Sequence, residues 1–264
     1  MRKFLIGAVV LATALITAGV ALGVVQRTYT ETFATTAGGT PVSKTNTATG
    51  TNLAEDSLDP ANTANNEQPP QDDLDTIVFP PGSTLDQSAT PQCNATDAQF
   101  TQKGEAACPK KSNVGSGHAR LRTKFNGTQE IQATVTLFNG KNKTLITYVN
   151  PVGANPQILR SKVQGTKGKN QKFVIPVPIS CVLGTPPDCK NSQGASAGDA
   201  RIVHLDLSIK KVIGKKKKKG KTIKVPLLKT PKKCPASKLW TFTFMFHHRD
   251  GSATDVKTST SPCK

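Results

Sequence analysis

Acidic residues are scarce where the chain is most basic. Residues 87–264 hold eight of the 17 acids but 31 of the 35 bases, a net of +23. With so few carboxylates, no paired-carboxylate motif of the kind used for acid/base hydrolysis is present. Other signatures are missing too. No C-x-x-C pair occurs, which argues against a zinc centre. There is no H-E-x-x-H, no G-x-S-x-G and no G-x-x-x-x-G-K-[ST], and no repeat of solenoid period. Aromatic residues make up 5% of the chain, and residues 210–224 contain none. That last absence excludes the interleaving of bases with aromatic rings that single-strand nucleic-acid binders use. From residue 76 onward no stretch carries a convincing helical period.

What is present begins with MRKFLIGAVVLATALITAGVALGVVQR. Arg2 and Lys3 precede an uncharged apolar run from Phe4 to Val25, which reads as an export signal. The run exceeds the ~7–15 residues of a secretory h-region and reaches the ~20 needed to span a bilayer. Residues 1–25 are therefore either a signal peptide, cut near Gly23, or an N-terminal membrane anchor. Both readings put the rest outside the cytoplasm, secreted or held at the outer face of the cytoplasmic membrane, because the positive end stays inside.

Six cysteines agree with an oxidising compartment. They allow 15 pairings, and their spacing groups them as Cys93 with Cys108, Cys181 with Cys189, and Cys234 with Cys263.

Composition divides the exported chain. Residues 26–75 are acidic and rich in threonine and asparagine, with too few large apolar residues to offset ordering entropy, and read as a disordered tether. Residues 76–264 read as a disulfide-stapled basic β-domain, either one unit or two small ones divided near Gly165. Strand-like runs such as IQATVTLF, KTLITYV and KLWTFTFMFHH are separated by Pro, Gly and Asn turns. In residues 201–209, Val203, Leu205, Leu207 and Ile209 share one face, and His204, Asp206 and Ser208 share the other. The Asn-Gly of FNGKNK, residues 138–143, reads as a hairpin tip. The period-two row Trp240, Phe242, Phe244, Phe246 reads as core rather than as a carbohydrate platform. Together these predict a mainly β fold, an antiparallel β-sandwich preceded by an apolar helix and the tether.

The order IVFPPG, TPQC at 90–93, ACPKKSNVGSGHARL from Ala107 and KKCPASKLWTFTF from Lys232, closing on HRDGS and SPC, resembles a family of uncharacterised secreted proteins from high-GC Gram-positive bacteria. The match covers roughly residues 75–125 and 230–264. It implies secretion, a β-rich domain and the pairings Cys93–Cys108 and Cys234–Cys263, and it carries no activity.

Two candidate sites remain. The first is VIGKKKKKGKTIKV, residues 212–225, in which GKKKKKGK reads as the exposed tip of a hairpin. The strands on either side are expected to end at Ile213 and resume at Thr222. With its neighbours it offers Lys210, Lys211, Lys215, Lys216, Lys217, Lys218, Lys219, Lys221 and Lys224 to a polyanion. Lysines also protect sheet edges, but nine in fifteen residues exceed that need. The expected partners are anionic polymers or an anionic membrane surface, bound as point charges and without sequence-specific nucleic-acid recognition. The second site is FHHRDG, where His247, His248, Arg249 and Asp250 supply acid/base and metal-ligand types for a hydrolase or metal-dependent enzyme. Adjacent histidines of a strand point to opposite faces, however, and Asp250 with Gly251 also reads as a simple turn. The favoured reading is a non-catalytic domain with no cofactor.

Overall fold

Short runs with a two-residue period favour strands, because alternate side chains can then face a core and solvent. A computed structural model describes residues 28–32, 51–56, 71–123, 129–179, 181, 189, 198–210 and 212–263 and places eleven strands in one antiparallel sheet. With strands numbered in chain order, and with β4 (Thr84–Leu85) and β13 (Leu228–Lys229) paired apart from it, the sheet runs β1 (Thr28–Thr32), β2 (Thr51–Asp56), β10 (Ala200–Ile209), β5 (Asn113–Thr123), β6 (Gln129–Asn139) and β7 (Thr144–Pro151). It continues through β8 (Gln157–Gln164), β9 (Lys172–Pro176), β3 (Asp72–Val78), β14 (Leu239–His248) and β15 (Asp255–Pro262). The two edges, β1 and β15, come together, so the sheet curls round on itself. The expected mainly β, antiparallel architecture is present, and its two facing layers are opposite walls of this one curled sheet.

Strand twist accumulates over so many strands, and three irregularities tighten it, within β10 between Ile202 and His204, within β5 between Asn113 and Gly115, and in β14 between His247 and His248. Gly117 lets β5 and β10 approach closely, since a Cβ there would lie 1.7 Å from the Asp206 carbonyl oxygen.

The aromatic row of β14 points into the curl. Trp240, Phe242, Phe244 and Phe246 are all but fully buried, alongside Ile77, Phe173, Val114, Leu137, Leu145 and Ile209 from other walls. Phe79 meets Phe173 and Phe242 edge-on, with centroids 4.7 and 5.8 Å away. Strands β6 and β7 are buried on both faces. Leu137 and Leu145 look inward, whereas Phe138, Ile146 and Tyr148 look outward under a short helix, α1 (Asp97–Lys103). Its Phe100 is completely buried, stacked on Tyr148 at 5.4 Å and tilted against Phe138 at 5.8 Å. Thr96 and Gln99 close a reciprocal capping box at its start. Arg160 on β8 fastens the helix, donating to Asp97 Oδ1 and to the Ala95 carbonyl at 2.7 Å. Two turns of helix are too short to show a period, which is why the sequence reading contains none.

The disulfides are Cys93–Cys108, Cys181–Cys189 and Cys234–Cys263, the sequential set. The first closes the loop that carries α1, and the third ties the approach to β14 to the end of β15.

Three expectations about organisation meet the structure differently. The sheet runs unbroken past Gly165, because β8 and β9 pair across that turn. Within residues 26–75, β1 and β2 run as strands, with β2 pairing along β10 from Thr51 to Asp56, and β3 already begins at Asp72. Backbone pairing needs no apolar side chain, so a threonine-rich segment can add to an open strand edge. The apolar run before residue 26 lies outside the described residues. Among the described residues no helix is long and apolar enough to cross a membrane.

Replacing Cys93 and Cys108 together by serine should lower unfolding free energy by about 2–5 kcal/mol in denaturant titration. Peptide mapping without reduction should recover the three sequential bridges and no free thiol.

Candidate functional site

Alternating charge and glycine would normally weaken a strand, yet the lysine run is one. Strand β11 (Ile213–Lys218) pairs with β12 (Lys221–Pro226) as a two-stranded ribbon separate from the main sheet. The connection is only Lys219 and Gly220, both at positive φ, 49° and 75°. That is the primed two-residue turn that matches strand twist, and glycine takes its second central position without strain. This corrects the expectation of a lysine loop between strands ending at Ile213 and resuming at Thr222, because the lysines themselves carry the ladder.

Register decides how the charges are displayed. Lys215 stands opposite Lys224 and Lys217 opposite Thr222 on one face; Lys216 stands opposite Ile223 and Lys218 opposite Lys221 on the other. Lys215, Lys216, Lys217, Lys218, Lys219, Lys221 and Lys224 are all exposed, and among the described residues none of their ammonium groups enters an ion pair. Like charges directly opposite each other destabilise a ladder, so the ribbon relies on its root. There Val225 and Leu227 are buried, Leu227 donates its N–H to the Val212 carbonyl at 2.9 Å, and Gly214 lies so close to Ala89 that a Cβ would be 2.0 Å from its carbonyl oxygen. Lys210 is exposed and donates to Asn113 Oδ1 at 2.8 Å. Lys211 lies outside the described residues.

The second candidate set does not converge. His247 and His248 fall on opposite faces of β14, His247 exposed and His248 buried. Each finds its own aspartate. His247 Nδ1 donates to Asp73 Oδ1 at 2.6 Å, and His248 Nδ1 donates to Asp72 Oδ1 at 2.7 Å. On its other side, His248 Nε2 lies 3.5 Å from Asp255 Oδ2. An irregularity in the β14–β3 register sets His247 opposite Leu74 and His248 opposite Asp72. Asp73 is thereby the extra residue, turned toward the outer histidine. Arg249 turns away to donate to the Val177 carbonyl at 2.8 Å. Asp250 accepts from the Ser252 N–H at 2.9 Å, and Gly251, at φ 78°, completes the turn. The His247 ring beside it holds the Asp73 carboxyl below its ordinary range, as hydrogen bonds from Ser252 do for Asp250. Among the described residues no group of three or more His, Cys, Asp or Glu side chains has the arrangement of a metal centre.

The aspartate partners were not legible in FHHRDG, since Asp72 and Asp73 precede the histidines by more than 170 residues. His118 and His204 lie on the neighbouring strands β5 and β10, where His118 pairs with Asp206 and His204 with Arg120 in the backbone register.

In comparisons with known families, curated proteins and solved structures, the chain matches none.

Burial separates the two histidines energetically. His248→Ala removes a buried ring that Asp72 and Asp255 flank and should cost about 3 kcal/mol. His247→Ala breaks an exposed pair and should cost under about 1 kcal/mol. Paired chemical denaturation curves measure both, and equal losses would show that the inner pair is not held as described.

Proposed function

We propose that the chain is a non-catalytic, exported β-domain that associates with anionic cell-envelope or extracellular polymers, or with an anionic membrane surface, through its lysine ribbon. The observation that carries this reading is the ribbon's construction. Seven exposed lysines are fixed on a short ladder, two pairs stand directly opposite each other, and no acid neutralises them among the described residues. Such a surface is electrostatically incomplete, and a row of phosphates or carboxylates would relieve the repulsion. An edge-protecting device needs less, because one or two lysines already suffice to discourage strand addition.

Selectivity in this reading is low. Ammonium groups act as point charges and lack the bidentate geometry of guanidinium, and no aromatic residue lies among them to read a base. Three disulfides are compatible with an extracellular setting, and the apolar N-terminal run supplies the route out of the cell. The hydrolase alternative needs His247, His248, Arg249 and Asp250 to act on one substrate atom. Their separate partners, Asp73, Asp72, Val177 and Ser252, support the binding reading over it.

Replacing the lysines at 215–219 with serine should leave the thermal midpoint unchanged and weaken binding to anionic polymers. For a single-stranded polyanion, five contacts correspond to a slope near −3.5 in log K against log salt. The affinity of the unaltered chain should then fall roughly 100-fold between 50 and 200 mM salt. Titrations by fluorescence anisotropy at several salt concentrations check both. Unchanged binding in the serine variant would leave the lysines as a solubility device.

A further inference from the structure

The ribbon is not isolated at its end of the sheet. Residues 86–93 form a bracket that three other lysine-bearing segments touch. Ala89 of the bracket packs on Gly214 at the ribbon root. Its Thr90 hydroxyl donates to the Lys111 carbonyl. Asn139, fully buried at the end of β6, donates to the carbonyls of Gln87, Thr90 and Pro91 at 2.9, 3.1 and 3.3 Å. Cys93 donates its N–H to the Asn139 carbonyl at 2.7 Å and receives the Lys141 N–H at 3.2 Å, which seats the turn carrying Lys141 and Lys143. The Asp86 carboxylate takes the Lys167 ammonium from the β8–β9 turn, which also carries Lys169. Finally, the Cys93–Cys108 disulfide ties the bracket to the segment that leads into Lys110 and Lys111.

Lys110, Lys111, Lys141, Lys143, Lys167 and Lys169 are exposed. Across residues 86–93, 109–112, 140–143 and 165–171, Asp86 is the only acid, and Lys167 already pairs with it. These segments contain no Phe, Tyr or Trp.

We infer that the polyanion site is composite, the ribbon together with the lysine turns gathered on the 86–93 bracket, and that its ligand is a flexible, linear phosphate polymer bound by its backbone charge. This rests on the ribbon reading above and extends it. The form of the ligand follows from the display of charge. Lys215, Lys217 and Lys224 project from one face of the ribbon while Lys216, Lys218 and Lys221 project from the other. A planar bilayer meets one face at a time. A flexible chain passes along both faces and continues over the turns at the root, and the absence of aromatic residues leaves phosphate as the feature recognised.

The test uses the exported chain and three probes: long-chain inorganic polyphosphate, inorganic triphosphate, and vesicles of phosphatidylglycerol in phosphatidylcholine. One variant carries Lys110→Ser, Lys111→Ser, Lys141→Ser and Lys143→Ser; a second carries serine at 215–219; a third carries arginine at the four turn positions. Polyphosphate binding should weaken about tenfold or more in each serine variant, and the turn variant should lose about 3 from the salt slope. The arginine variant should bind like the unaltered chain, with all thermal midpoints preserved. A turn variant that binds normally beside a weakened ribbon variant would overturn the composite site and leave the ribbon reading standing. Normal binding by both serine variants would overturn both. Vesicles or triphosphate bound as tightly as polyphosphate would overturn the chain-like ligand.

Discussion

Everything in this molecule depends on the sheet closing over the aromatic row of β14. Each of Trp240, Phe242, Phe244 and Phe246 buries a side chain worth roughly 1.5–3 kcal/mol or more, and they can be buried only if the walls contributed by β5, β6, β7 and β10 curl round to meet them. Glycine at 117 permits the tight approach of β5 to β10, and the register irregularities supply the bend. Once the curl is made, antiparallel pairing fixes which turns share an end. The turns after β6, β8 and β10 fall at one end; His248 of β14 and Asp72 of β3 fall at the other.

Charge follows this geometry. The lysine-bearing turns crowd one end with Asp86 as their single acid, while Asp72, Asp73, Asp250 and Asp255 gather at the opposite end around His247 and His248. A body polarised in this way carries a dipole along the strand direction, and its exposed charges act over a Debye length of about 8 Å at physiological ionic strength. That dipole is thus built into the strand order.

The strand content and the inward face of β14 were legible in the sequence because they are properties of neighbouring residues. The alternation in KLWTFTFMFHH needs no knowledge of what lies across from it, and the cysteine spacing is equally local. Features that depend on distant residues were not legible. The hairpin expected at FNGKNK joins β6 to β7, but its Asn139 is also the buried peg of the bracket, because its amide finds three carbonyls some 50 residues earlier. The histidines' aspartates lie on a strand with no sequence relation to β14. The lysine run was misread in one respect for a physical reason, since lysine has weak strand preference and only the Lys219 and Gly220 turn forces the ladder through it.

That turn has a bearing on how the ribbon tolerates change. In most strands a one-residue slip exchanges buried and exposed side chains and is ruinous. Here the positions next to one another along β11 carry the same side chain, so a ribbon longer or shorter by one lysine would still present charge on both faces. The glycines at 214 and 220 mark where the run is clamped and where it reverses, and between them its length is nearly free to drift. Reach, rather than pattern, is the quantity such a drift would alter, and it would do so without any change to the walls that hold the ribbon up.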